Sequence, residues 1–228
     1  MKKNKIFCLC AILITVMMSP IVAHADKAYI YRTIDHSQVF KGKRTITLKN
    51  YYRYVQLKGN TQAIRKFNKT TKNAAVKTMK QESGAIEYAQ NDCNSSYSGD
   101  ETYEDYCNEK VTYYTGNIIS VYYIAEWYAG GVGNTFESGA TYDIKNGKYL
   151  NLLDVTKEKS EAKIKETLKK KIEAENRGYD SSEVDSKDIS EFEFYINKKG
   201  NVIVCFGPYE LGYGGWSKTY KLEGDLPK

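Results

Sequence analysis

Between Glu109 and Ile144 three β-rich segments follow one another with almost nothing between them. Val111-Thr112-Tyr113-Tyr114, Ile118 to Trp127 and Thr135 to Ile144 are dominated by β-branched and aromatic residues, which suit a pleated, half-buried surface. Gly116-Asn117 supplies the first turn, and the glycine-rich Gly130-Gly131-Val132-Gly133 supplies a wider second one. Connections this short leave no room for a crossover, which takes a dozen or more residues. The stretch therefore has to form the centre of an antiparallel sheet, and the rest of the chain must pack around it.

The flanking patterns extend that sheet and add helices. Tyr29 to Ile34 and Thr45 to Leu57 read as strands, and Asn146-Gly147 is a two-residue hairpin signal in which both positions need positive φ. Gln62 to Gln81 places Ile64, Phe67, Thr71, Ala74, Ala75 and Met79 near helical spacing, with a basic outer face. Glu161 to Asn176 repeats Ile164, Leu168 and Ile172 every four residues, and Gly178 lies where a helix C-cap is expected. Glu191 to Ile196, Asn201 to Phe206 and Trp216 to Leu222 read as three closing strands. No repeat or linker interrupts the chain. The expectation is an α+β fold of antiparallel sheets with two amphipathic helices, in a single compact domain or two tightly joined lobes.

Residues 1–25 have the layout of an export signal. Lys2, Lys3 and Lys5 precede an uncharged apolar run from Ile6 to Val22, and Ala23-His24-Ala25 provides the small residues of a cleavage site before Asp26. The apolar run approaches the length that spans a bilayer, so a retained anchor is the alternative; Pro20 and the A-x-A site favour cleavage. Cleavage would leave a secreted or wall-associated domain at 26–228, with no later segment apolar enough to cross a membrane. It would remove three lysines and no acid, lowering the formal charge from +6 to +3. That is no nucleic-acid footprint. Two of the five cysteines and one of the two histidines would also go. The remaining His36 has no evident partner, so neither a histidine metal site nor a histidine-dependent nucleophile is expected, and no cofactor is implied.

Two segments stand out as candidate binding surfaces. The first runs from Cys93 to Cys107 and reads CNSSYSGDETYEDYC, without a basic residue. In an exported protein, Cys93 and Cys107 are expected to close it as a disulfide loop, a bridge worth about 3 kcal/mol by chain entropy. Cys205, inside the apolar VIVCF, is expected to be a buried thiol. Tyr97, Tyr103 and Tyr106 would offer rigid contact area, and Asp100, Glu101, Glu104 and Asp105 would complement a cationic partner. No calcium-loop spacing is present. The second segment, Gly207 to Trp216, packs glycines around Tyr209, Glu210, Tyr213 and Trp216, either as a docking lip or as a turn whose aromatics fill the core.

Motifs for catalysis are thin. Trp127 to Gly133 lacks the glycine spacing and following helix of a nucleotide site, and no G-x-S-x-G, H-E-x-x-H or S-x-x-K occurs. Glu126 with Glu137, Glu191 with Glu193, or Glu210 could be drawn as acid and base of a wall-glycan hydrolase, but alternating charges on strands usually mark a wet face.

The order FYINKKGNVIVCFGPYELGYGGW, downstream of AEWYAGGVGNTFESGATYDIKNGKYLNLLDV, resembles a family of bacterial extracytoplasmic domains. That family occurs in lysozyme-sensing anti-sigma factors and ahead of the catalytic domain of some peptidoglycan deacetylases. The likeness rests on Gly130-Gly131, on Thr141 to Asp154 and on Pro208-Tyr209-Glu210-Leu211, with a looser match over Tyr51 to Asn68. Val132 and Gly133 stand where the family commonly has Ala-His, so any role of that histidine is absent. Neither a deacetylase domain nor a cytoplasmic anti-sigma segment is expected to accompany the domain. The resemblance implies the binding half alone: a non-catalytic domain that recognises a cell-wall component or a cationic protein such as lysozyme.

Overall fold

The computed structural model describes residues 28–82, 84–96, 99–212 and 214–227; the expected export segment lies outside the described residues. A long hairpin opens the fold, β1 (Tyr29–Lys41) pairing with β2 (Thr45–Leu57) from Tyr29↔Leu57 to Lys41↔Thr45. β1 runs seven residues past the expected end at Ile34. Its polar continuation, Asp35-His36-Ser37-Gln38, is held extended by ladder bonds to β2 rather than by apolar patterning.

β3 (Glu101–Tyr114), β4 (Ile118–Ala129), β5 (Val132–Asp143) and the short β6 (Lys148–Tyr149) complete a six-stranded sheet in chain order. Its neighbours are antiparallel except β2 and β3, which run parallel from Ile46↔Glu101 to Arg53↔Asn108. The parallel pair departs from the expected antiparallel arrangement because residues 58–100 are long enough for a crossover. They carry α1 (Gln62–Lys77), a π-helical segment (Thr78–Glu82) and α2 (Gly84–Asp92), so the expected single helix is the first part of a longer, bent one.

Both helices cover one face of the sheet. Thr61 caps α1, its hydroxyl accepting the Ile64 N–H at 3.2 Å. Phe67 then packs with Val55, Leu57, Ile119 and Tyr142. Ala85 and Ala89 of α2 lie against Ile46, Leu48, Tyr103 and Ala129. Along β2 the buried residues alternate from Ile46 to Tyr54, and past that point the buried set shifts to Val55 and Leu57. The pairing with β3 ends just before this shift, and the Val55 N–H donates instead to Glu109 Oε2 at 2.8 Å. Burial pushes the Glu109 carboxyl up to about 7, against the pull of that hydrogen bond and of Arg53.

The turns are tighter than expected in one place and wider in another. Gly130 and Gly131, at φ 59° and 106°, form the whole β4–β5 turn, so β5 begins at Val132. In the Asn146-Gly147 connection Asp143 pairs with Lys148, leaving a four-residue loop in which only Gly147 has positive φ. Asp143 organises this loop, accepting the Asn146 N–H at 2.9 Å.

The second lobe holds α3 (Leu152–Val155), α4 (Glu161–Ala174), α5 (Glu183–Ser186) and a three-stranded antiparallel sheet of β7 (Glu193–Ile196), β8 (Val202–Phe206) and β9 (Lys218–Leu222). Ile164, Leu168 and Ile172 of α4 share a core with Phe194, Val204 and Leu222, and Ile118 of the first sheet belongs to that same core. Where β7 crosses β5, a Cβ on Gly139 would stand 2.7 Å from the Tyr195 Cβ and 2.8 Å from the Phe194 carbonyl carbon. Among the described residues no helix is long and apolar enough to cross a membrane.

This architecture makes two points testable. Gly139→Ala should lower stability by about 1–3 kcal/mol in chemical denaturation, because backbone has to move to admit the methyl. The second concerns Glu109, whose folded-state carboxyl titrates above its ordinary value of 4.5. The stability it gives as a neutral group is complete below that value and lost as pH rises through about 7. Between pH 4.5 and 7.5 this contribution should fall by roughly 2 kcal/mol, allowing for partial screening by water. Urea denaturation of Glu109→Gln at the two pH values should show that part of the slope gone.

Candidate binding face

The segment expected to be a loop from Cys93 to Cys107 is mostly strand. α2 ends at Asp92, and from Glu101 onward the residues belong to β3. The alternation is hidden in the sequence because inward positions carry Tyr103, Asp105, Cys107 and Glu109, half of them acids. The expected bridge is absent: Cys93 and Cys107 are both free. Cys93 packs beside Tyr103 in the α2 core, whereas Cys107 lies four strand residues further on, about 13 Å along the chain. A disulfide needs its Cα atoms within about 7 Å.

β3 therefore divides the expected binding residues between two fates. Tyr103 is fully buried; its hydroxyl donates to the Asp92 carboxylate and accepts from Arg44. Asp105 is buried and accepts the Tyr52 hydroxyl at 2.7 Å. Asp100 accepts the Thr45 N–H at 2.8 Å, and Glu101 pairs with Arg44 at 3.4 Å. These four groups help hold β3 in the sheet; Tyr103 and Asp105 are buried there, whereas Asp100 and Glu101 stay exposed. Tyr97 lies outside the described residues.

Glu104 and Tyr106 point the other way, onto the sheet face that the helices leave uncovered. Register aligns two rows across four strands there, Tyr51-Tyr106-Glu126-Thr135 and Lys49-Glu104-Tyr128-Gly133. The Tyr51 and Tyr106 ring centroids are 6.4 Å apart, and the Tyr106 hydroxyl donates to Glu104, which pushes that hydroxyl's pKa up. Tyr128 is 52% exposed.

The glycine-rich segment completes this face. Tyr106, Glu126, Tyr128, Thr135 and Trp216 line one groove of about 530 Å³. Trp216 is expected at the start of a strand but lies in the connection before β9, 75% exposed. The adjoining Ser217 hydroxyl accepts the Glu137 N–H at 2.8 Å and fastens this limb to β5. Glu210 is engaged in holding the backbone, accepting the Gly207 N–H at 2.8 Å and pairing with Lys187 at 3.2 Å. Tyr209 is 67% exposed at φ 65°, a left-handed conformation rare for a bulky residue. Its N–H is satisfied by the Gly214 carbonyl at 3.0 Å. Tyr213 lies outside the described residues.

Of the carboxylates considered for catalysis, Glu191 and Glu193 line one cleft on the opposite face of the sheet, whereas Glu137 and Glu210 do not join Glu126 in the exposed groove. Glu126 lines the groove; Glu137, its diagonal neighbour on the same face, accepts the Tyr122 hydroxyl. Glu191 caps the Asp188 N–H, and Glu193 accepts from Tyr123 and Ser138. His36 is exposed on β1 opposite Asn50. What converges on the open face is aromatic surface edged by carboxylates, a chemistry for packing and charge pairing. Tyr128 was the component missed in the sequence, although its place two residues beyond Glu126 in the same strand pattern marks it for the same face.

The division between structural and exposed residues is testable. Asp105→Ala removes the hydrogen bond between Asp105 and the buried Tyr52 hydroxyl and should cost about 2–3 kcal/mol in denaturation, whereas Tyr106→Ala on the open face should cost less than half as much.

No family model matches this chain, and no curated protein matches it. Among solved structures it is similar to a DUF3298 family member from Bacteroides fragilis, with a TM-score of 0.55 and 16% identity over 86% of this chain and 90% of that one. It also aligns with a DUF3298 family protein from Pseudomonas aeruginosa PAO1, with a TM-score of 0.46 and 13% identity over 85% and 89%. The first likeness shows that the chain shares its fold with a DUF3298 family protein.

Proposed function

We propose that the chain is an exported, non-catalytic binding domain, and that its open sheet face receives a cationic protein, lysozyme being the leading case, or a cell-wall glycan. One observation carries the reading. Tyr106 and Trp216, far apart in sequence, line a single exposed groove together with Glu126 and Tyr128. Aromatic side chains supply large contact area at low entropic cost, and interface energy concentrates in Tyr and Trp. The neighbouring Glu104 and Glu126 favour a basic partner through steering and pairing. The export signal and the family resemblance of Gly130-Gly131, Thr141 to Asp154 and Pro208 to Leu211 supply the extracytoplasmic context. The rival reading, a wall-glycan enzyme working through a carboxylate pair, draws less support, because Glu137 and Glu210 do not join Glu126 in lining the groove.

The mature protein from Asp26 should bind lysozyme at micromolar concentration or tighter and slow its lytic activity. Tyr106→Ala combined with Trp216→Ala should weaken binding at least tenfold while leaving the melting temperature within a few degrees. Glu104→Gln with Glu126→Gln should weaken it more at 20 mM salt than at 300 mM, since exposed charges are screened. Absence of binding to both lysozyme and insoluble peptidoglycan at either salt concentration would reject the reading.

A further inference from the structure

The opposite face of the sheet holds a second feature, independent of the exposed groove. Between α1, the inward face of β3–β5 and the segment leading into β7 lies a cleft of about 540 Å³. Its walls are largely apolar, with Phe67, Ile119, Val121, Phe136 and Phe194 among them, and Ala75, Ala125, Gly139 and Ala140 leave the space open by being small. A cleft of this size, apolar with a few convergent polar groups, has the form of a small-molecule site.

The polar groups are unevenly charged. Among the described residues, Glu109, Glu191 and Glu193 are the acids on the lining, and Arg53 is its one guanidinium. Glu191 and Glu193 already accept hydrogen bonds from Asp188, Tyr123 and Ser138. Arg53 donates to the Glu109 main-chain carbonyl at 3.1 Å and stacks over the Tyr31 ring at 4.8 Å, while its buried Nε–H has no hydrogen-bond partner among the described residues. Glu109 differs. Its Oε2 accepts the Val55 N–H, and no hydrogen bond to Oε1 is found among the described residues. A carboxyl therefore lines an apolar cleft with one oxygen lacking a hydrogen bond, Arg53 being the charged group that acts on it. From this geometry we infer that the cleft binds a small amphipathic amine, its aliphatic or aromatic body against Phe67, Phe136 and Val121 and its ammonium on Glu109.

Burial makes the ionised carboxylate costly in the empty cleft, and a ligand cation removes that cost by pairing with it. Binding is thus coupled to deprotonation of Glu109: affinity rises as pH rises through about 7, while an alkylamine stays protonated well above that range. Among the other titratable groups on the lining, burial pushes the Cys107 thiol up to about 12 and raises the Tyr123 hydroxyl as well, so neither changes charge between pH 5.5 and 8. Tyr149, at the rim, is raised too.

The test uses decylamine, with decanol and decanoate as neutral and anionic probes of the same body, on the mature protein by titration calorimetry. Decylamine should bind at least tenfold more tightly than either control at pH 8, and at least tenfold more weakly at pH 5.5 than at pH 8. At pH 6.5, buffers of different ionisation enthalpy should report release of a fraction of a proton on binding. Glu109→Gln should abolish both the pH dependence and most of the affinity. Ala125→Leu, which fills the cleft without touching the charge, should abolish binding while retaining the fold, and it decides the question should Glu109→Gln fold poorly. Trp216→Ala, in the exposed groove, should leave decylamine binding unchanged, so this inference and the proposed partner face stand or fall separately. Equal or tighter binding of decanoate, pH-independent affinity, or binding undiminished in Ala125→Leu would overturn it.

Discussion

The crossing of β7 over β5 fixes the relation between the two sheets, and most of the remaining structure depends on it. Gly139 permits the approach by lacking a side chain. Beside it, the Ser120 hydroxyl, itself within 2.9 Å of Thr141 Oγ1, accepts the Ile196 N–H at 2.7 Å. All of these groups are buried, where an unpaired N–H or hydroxyl is expensive, so the bonds define register as well as contact. Ile118, from the first sheet, is shared with the second lobe's core and removes any freedom for the lobes to slide. Once β7 is placed, the chain through β8 returns the 207–217 segment alongside β5. The Glu137–Ser217 hydrogen bond then sets Trp216 beside Tyr106.

The two faces of the six-stranded sheet use their carboxylates in opposite ways. Inward acids are committed: Asp105 to Tyr52, and Glu109 in part to Val55. A buried carboxylate without such partners would be driven neutral, and Glu109, with only one oxygen engaged, is pushed in that direction. Outward acids keep contact with water, so Glu104 and Glu126 retain the ability to meet a cation. The same residue type serves structure on one side and recognition on the other, and period-two alternation decides which.

That alternation also explains what was legible. Thr45 to Leu57, Ile118 onward and the four-residue spacing of α4 carry apolar residues on their buried faces, so pattern and structure agree nearly to the residue. β3 puts Tyr, Asp, Cys and Glu on its buried face, and a strand with acids inside reads as a loop with acids outside. α2 buries only Ala85 and Ala89, too little apolar side chain to register as a helix face. The parallel pairing of β2 with β3 was equally invisible, since strand direction depends on where a crossover packs and not on the strands' own residues.

The candidate site was legible in composition more than in position. Tyr106, Glu104 and Trp216 draw notice because tyrosine, acid and glycine clusters stand out in a chain with only three prolines and two histidines. Their neighbours in the same clusters, Tyr103, Asp105 and Glu210, have equal claims by composition yet are tied into hydrogen bonds within the fold. What separates the two groups is parity along β3 and the path of the segment after β8, both properties of the folded chain. An acidic, tyrosine-rich segment is therefore weak evidence for a binding loop until the direction of each side chain is known. Half of such a segment, laid into a sheet, becomes part of the scaffold that presents the other half.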